Sequence, residues 1–285
     1  MCFTLEPSRM SGTILYAAET TLNDRLLHVM GYQNRAENKG WGPNAMLLPI
    51  PSALPMTSAN AVDMTSCKHV LRDYEKALVA STARRSRGFD KGMDLSDRSV
   101  QVFDSGSYTV VLASDAKYIN SALSQVPENK RPKPNPTIFE AYSKLYPGWH
   151  IALCCYDGDI DAEPMVWQYE PIDPSNLFAP ALDGHNGKPP VLSSPVDRDH
   201  SVIVSLVKSP PGKYGLRMPD AQFLPDLSGH QIPAHLQYLF GKSFFGCQLH
   251  RQTVNGDVMV SIERLQQFLH GSGTVDFKMT DPPGA

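Results

Sequence analysis

No stretch of this chain approaches the roughly 20 consecutive apolar residues that a bilayer-spanning helix requires. The first twenty residues also hold no basic run followed by an apolar core. The sequence therefore predicts no membrane span and a cytoplasmic protein. Charge is scarce as well: Asp, Glu, Lys and Arg make up 19% of the residues, against about 25% in ordinary globular chains. Lys and Arg number 26 against 29 Asp and Glu, a formal charge of −3, so general binding to nucleic acids or anionic surfaces is not expected. Cysteine occurs five times, an odd number, and never as Cys-x-x-Cys. Neither a disulfide framework nor a structural zinc site is indicated. The sequence contains no G-x-x-x-x-G-K-[ST], no G-x-G-x-x-G and no G-x-S-x-G, which removes the common nucleotide-dependent and serine-hydrolase readings.

What the chain has in excess is proline, 24 in 285 residues, against an average of about 5 per hundred. Helices must then be short and loops many. Apolar residues at 41% suffice for a large core. Strands are expected at residues 2–6, 13–19, 28–33, 45–50, 100–103 and 108–113, 149–156, 165–170, 201–207, 248–254 and 258–262, most of them short and β-branched or alternating. The runs at 2–6 and 13–19 read as neighbours across a six-residue connection, those at 149–156 and 165–170 as a pair around an acidic loop, and those flanking Asn255-Gly256 as a hairpin. Pro49 and Pro51 place the far end of the 45–50 strand at an edge or bulge.

The best helix lies within residues 61–82, where Val62, Cys67, Val70, Leu71, Tyr74, Leu78 and Val79 share a face and Arg72, Asp73, Glu75 and Lys76 point away. Further helices are expected at 115–126, capped by Asp115, at 137–146, near 233–240, and at 262–270, closed by Gly271. Cys154 and Cys155 read as small buried hydrophobes. The whole is an α+β protein with largely antiparallel sheets, a single unit over residues 1–285, with a sub-boundary in the proline-rich connector 127–136.

Two constellations carry chemistry. Cys2 follows Met1; if Met1 is removed, Cys2 bears both a thiol and a free α-amine, a nucleophile and a base in one residue, since the amine titrates near about 7.7 to 8.0. The order Met1-Cys2, strand, turn at residues 8–12, strand at 13–19 resembles the opening of the N-terminal-nucleophile cysteine amidohydrolases, the bile-salt and penicillin-V hydrolases. The resemblance covers about twenty residues. It implies an αββα sandwich and hydrolysis of a carbon–nitrogen amide bond with Cys2 as nucleophile. Where that family carries an Arg and an Asp at the end of the second strand, this chain has Ala17-Ala-Glu-Thr20 and reaches Asp24 and Arg25 only later.

The second constellation is Asp183-Gly-His185-Asn-Gly187, followed by Asp197-Arg-Asp199-His200 just before the clearest strand. His185 and His200, with Asp199 as orienting partner, are candidate bases or oxyanion donors for Cys2. Alternatively Asp183, His185, Asp199 and His200 are candidate ligands of a divalent metal, the only cofactor the sequence suggests. His230, His235 and His250 read as surface or satisfied core residues, and the arginines at 84, 85 and 87 as a solvated loop rather than a phosphate site. Three functions stay open: a cysteine hydrolase of small amides, a metal-dependent hydrolase, and a non-catalytic protein-binding surface built from proline-rich loops and the exposed aromatics Trp41, Trp149 and Trp167. A homo-oligomer is compatible with each.

Overall fold

The computed structural model describes residues 3–79, 88–90, 100–192, 194–206, 227–233, 236–240, 244–249, 252–270 and 272–285. Cys2, the arginines at 84, 85 and 87, Ser193, His235, His250 and Gly271 lie outside the described residues.

In chain order the elements are β1 (Phe3–Thr4), β2 (Ser8–Leu22), β3 (Arg25–Asn38), β4 (Asn44–Ile50), β5 (Ala61–Val62), α1 (Val70–Val79), β6 (Gly88–Asp90), β7 (Val100–Ser105), β8 (Tyr108–Ala113), α2 (Ile119–Ala122) and α3 (Pro136–Leu145). They continue with β9 (His150–Tyr156), β10 (Ile160–Asp161), β11 (Met165–Tyr169), β12 (Asn176–Ala179), β13 (Pro195–Asp197), β14 (His200–Leu206), β15 (Leu227–Gln231), α4 (Gln237–Phe240), β16 (Phe244–Leu249), β17 (Gln252–Val254), β18 (Asp257–Ser261), α5 (Ile262–Leu269) and β19 (Lys278–Thr280). Strands dominate and the helices are short, an α+β protein of mostly antiparallel sheets. No helix among the described residues is long and apolar enough to cross a membrane.

Two sheets carry the fold: a five-stranded one ordered β1-β4-β9-β8-β7 and a seven-stranded one containing β16-β14-β2-β3-β11-β5, with β10 added on β3. Successive side chains on a strand point to opposite faces, and the burial follows that period. Met46, Leu48, Val110, Leu112, Ala152 and Cys154 of the first sheet meet Leu15, Ala17, Met30, Tyr32, Val202 and Val204 of the second in one central core. The alternate residues of the first sheet, among them Leu47, Val111, Leu153 and Cys155, pack under α2 and α3. Those of the second, Ile14, Tyr16, Val166 and Ile203, pack under α1 and α4. The layers therefore run α–β–β–α, each sheet covered on both faces. A third sheet, β12-β18-β19, adds Leu177, Phe178, Val258 and Val260 to the central core.

β2 and β3 are far longer than the usual five or six residues. They join through a two-residue turn at Asn23 and Asp24, whose φ angles are both positive, 50° and 60°, a conformation that Asn and Asp tolerate better than most residues. The expected β1–β2 neighbours are instead divided between the two sheets: β1 pairs β4, with Phe3 opposite Leu47, while β2 pairs β3 and β14. The runs at 149–156 and 165–170 are likewise separated, β9 into the first sheet and β11 into the second. Adjacency in sequence cannot distinguish a hairpin from a crossing between layers, because both faces of both sheets are buried. Pro49 pairs with Ile151 of β9, while the described part of β1 reaches only Met46 and Leu47 on the other side of β4. The missing N–H of Pro49 thus falls where no described neighbour asks for it.

The helix expected from residue 61 begins at Val70, because Ala61 and Val62 are drawn into β5 opposite Trp167 and Val166. Arg72 does not face away. It is buried and donates from Nη1 to the Gly12 carbonyl, at the irregular register of β2. The connector 127–136 joins α2 to α3 within one helical layer, since residues on both sides of it pack in the same cluster. Cys154 and Cys155 are both fully buried, one in the central core and one under the helices, and burial pushes the Cys155 thiol up to about 12.

Candidate functional site

The Asp183 to Gly187 segment lies along β1. The Gly184 carbonyl accepts from the Thr4 N–H at 2.9 Å and the His185 carbonyl from the Ser8 N–H at 3.0 Å, and Phe3 and Gly184 form a parallel bridge. Glycine at 184 makes this approach possible, since a Cβ there would stand 2.1 Å from the Phe3 ring. Gly187 has φ +71° and faces the Leu5 carbonyl. Asn135, the cap of α3, reaches across with its side-chain amide to the carbonyls of Leu5 at 3.4 Å and Gly187 at 3.2 Å.

Within this segment His185 Nε2 stands 3.2 Å from Asp183 Oδ1, with both side chains largely buried. The other two candidates go elsewhere. Asp199 Oδ2 accepts the Gly12 N–H at 2.7 Å, and His200 opens β14 opposite Thr13 and Leu249 on the alternating face of Val202 and Val204, fully buried against the first sheet. Consecutive residues of an extended strand point apart, so the Asp199-His200 dipeptide does not make a dyad with itself. Among the described residues, no group of three or more His, Cys, Asp or Glu side chains is placed to hold a metal ion, and Asp183, His185, Asp199 and His200 are not gathered into one.

Around Asp183 the structure builds a polar knot that the sequence reading missed. The fully extended Arg198 side chain, buried at 4% exposure, donates from Nε to Thr253 Oγ1 at 2.7 Å, from Nη1 to the Ala181 carbonyl, and from Nη2 to the carbonyls of Val254 at 3.4 Å and Gly256 at 3.3 Å. Asp257, 2% exposed, accepts the Ala181 and Leu182 N–H groups at 2.9 and 3.0 Å and the Tyr146 hydroxyl at 2.7 Å. Burial holds the Asp257 carboxyl above its ordinary value, opposed by these donors and by Arg198. Burial likewise lowers Arg198, opposed by Asp183 and Asp257. Charges this deep persist only when paired and hydrogen-bonded.

Asn255 completes the knot, and β17 and β18 consequently form no hairpin. β17 pairs β13 and β18 pairs β12 and β19. The Asn255 side chain is spent on Asp183 rather than on a turn, and Gly256 lies where a Cβ would come within 2.5 Å of the Thr280 carbonyl. An arginine between two aspartates in sequence, Asp197-Arg-Asp199, was the visible signal; nothing in the sequence linked it to Asn255 or Asp257.

Of the aromatics expected to be exposed, Trp41 is, at 88%, whereas Trp167 is fully buried in β11 and Trp149 half-buried. Trp167 occupies an inward position of a strand sandwiched between two layers, which the sequence reading took for a surface position. His230 is buried and paired with Asp73 at 2.8 Å, a satisfied core histidine. No family model, curated protein or solved structure matches this chain.

Proposed function

We propose that this protein is a cysteine-dependent amide hydrolase in which Cys2, made N-terminal by removal of Met1, is the nucleophile. One observation carries the reading: Phe3, covalently next to Cys2, is bridged to Gly184, so the Asp183–His185 pair is built onto the same strand that Cys2 precedes. The α–β–β–α order of the layers, which the resemblance of residues 1–20 implies, supports it further.

In the proposed reaction the α-amine takes the thiol proton and the sulfur attacks the amide carbonyl carbon. The C–N bond breaks, the amine leaves with that proton, and a thioester to Cys2 remains. Water then cleaves the thioester, releasing the carboxylic acid and restoring the thiol. His185, oriented by Asp183, is the described group suited to polarise the carbonyl or accept the proton of that water.

The test combines the intact mass of the protein made in cells with mapping of an electrophilic thiol probe. Loss of Met1 together with selective labelling of Cys2, and loss of amide turnover in Cys2→Ala, are expected. Retention of Met1, or five cysteines that label slowly and alike, sinks the proposal. The rival reading as an interaction protein draws its support from Trp41, and predicts that Trp41→Ala weakens partner capture while Cys2→Ala changes nothing.

A further inference from the structure

At the end of the sandwich where β3, β9 and β12 come together, a recess of about 270 Å³, its open mouth included, is lined by His28, Trp149, Ile172, Asp173, Phe178 and Met259. Trp149 and Phe178 form two ring walls at right angles, 88° apart in plane with centroids 4.9 Å apart. Met259 and Ile172 add apolar surface, and neither Lys nor Arg is among the described residues that line it. Asp173 is held rigidly at the rim: one carboxylate oxygen accepts the Ser175 N–H and the other the Asn176 side-chain amide, both at 2.8 Å. A carboxylate accepts about four hydrogen bonds, so this one retains capacity for a ligand.

His28 is 1% exposed, and its Nε2 has no hydrogen-bond partner. Buried polar atoms without partners are rare in folded proteins, and each asks for a reason. Its one ring contact is Tyr169, edge-on at 6.2 Å. Burial lowers the imidazole to about 4 despite the opposing pull of Asp173, which leaves it neutral at neutral pH and able to present a lone pair.

We propose that this recess binds a small alkylammonium ion bearing at least one N–H. The alkyl groups lie against Trp149, Phe178 and Met259, the positive charge is attracted by the ring quadrupoles and by the Asp173 carboxylate, and the N–H donates to His28 Nε2. A neutral imidazole does not repel the cation, and a recess this small excludes bulky ligands. The site is independent of the Cys2 reading, because none of its residues belongs to the Asp183–His185 segment.

Titration of the full-length protein with trimethylammonium chloride tests this, at ionic strength held constant with sodium chloride and read by NMR on the Trp149 indole N–H, assigned with Trp149→Phe. A saturable shift is expected. The uncharged isostere tert-butyl alcohol should bind at least tenfold more weakly, tetramethylammonium, which lacks an N–H, at least threefold more weakly, and Asp173→Asn should weaken trimethylammonium at least fivefold. His28→Phe should erase the preference for trimethylammonium over tetramethylammonium. Should that variant fail to fold, Asp173→Asn, a substitution at an exposed position, still decides the matter. Absence of a saturable shift, equal binding of tert-butyl alcohol, equal binding of tetramethylammonium, or an unaffected Asp173→Asn overturns the proposal.

Discussion

Asn255 and Asp183 exchange two hydrogen bonds, the Asp183 N–H to Asn255 Oδ1 and Asn255 Nδ2 to the Asp183 carbonyl, each 2.8 Å long. Asn255 is 2% exposed. Asn255→Ala strands a buried N–H and a buried carbonyl, each worth about 1–3 kcal/mol when left unsatisfied. A loss of about 2–4 kcal/mol is expected in urea unfolding, and a midpoint equal to wild type contradicts the assignment.

Arg198 is the common counter-charge of Asp183 and Asp257. Arg198→Leu leaves a buried carboxylate without compensation, and removing one partner of a buried ion pair costs about 3–5 kcal/mol. Arg198→Lys keeps the charge but cannot reach Thr253, Ala181, Val254 and Gly256 together. Lysine should therefore recover only part of the stability in the same denaturation series; full recovery shows that charge alone matters there.

Gly184 and Phe3 pack so closely that Gly184→Ala must displace the ring. Overpacking of this kind costs about 1–3 kcal/mol. Combining it with Phe3→Leu should be less destabilising than the sum of the two single changes, since the smaller side chain makes room. Simple additivity in thermal melts argues against the contact.

His28 makes stability depend on pH. Its folded pKa, about 4, lies below the ordinary 6.5, so between these values the unfolded chain binds more protons than the folded one. Stability is fully present above about pH 6.5 and falls as pH drops toward 4, by up to about 3 kcal/mol. His150, also lowered by burial, acts in the same direction. Asp257, whose carboxyl is raised, acts oppositely in the range just above the ordinary carboxylate value. The His28 contribution is isolated by comparing wild type with His28→Gln at pH 4.5 and 7: the variant should show a smaller loss on acidification, and identical losses refute the assignment.

The sequence by itself determined the elements whose signal is local. β14, expected at 201–207, is His200–Leu206; the β7–β8 hairpin turns through Gly106 at φ 54°; Asp115 caps its helix by accepting the Lys117 N–H at 2.9 Å. Caps, two-residue turns and β-branched runs involve neighbours within a few residues, so composition suffices to read them. β4 and β9 were legible as strands because each is apolar on both faces, but that same feature concealed which sheet each neighbour joined.

Only the tertiary structure decided the site. Within the Asp183 to His200 stretch it kept Asp183 beside His185, sent Asp199 to Gly12 and His200 into the core, and drew Arg198 into contact with residues 181 and 253–256. The same layer packing buried Trp167 and brought His28, Trp149 and Phe178 around one recess. The physical reason is that hydrogen bonds and burial between residues far apart in the chain depend on which layers face each other, and that is set by the summed packing of two whole sheets and their helices rather than by any local pattern.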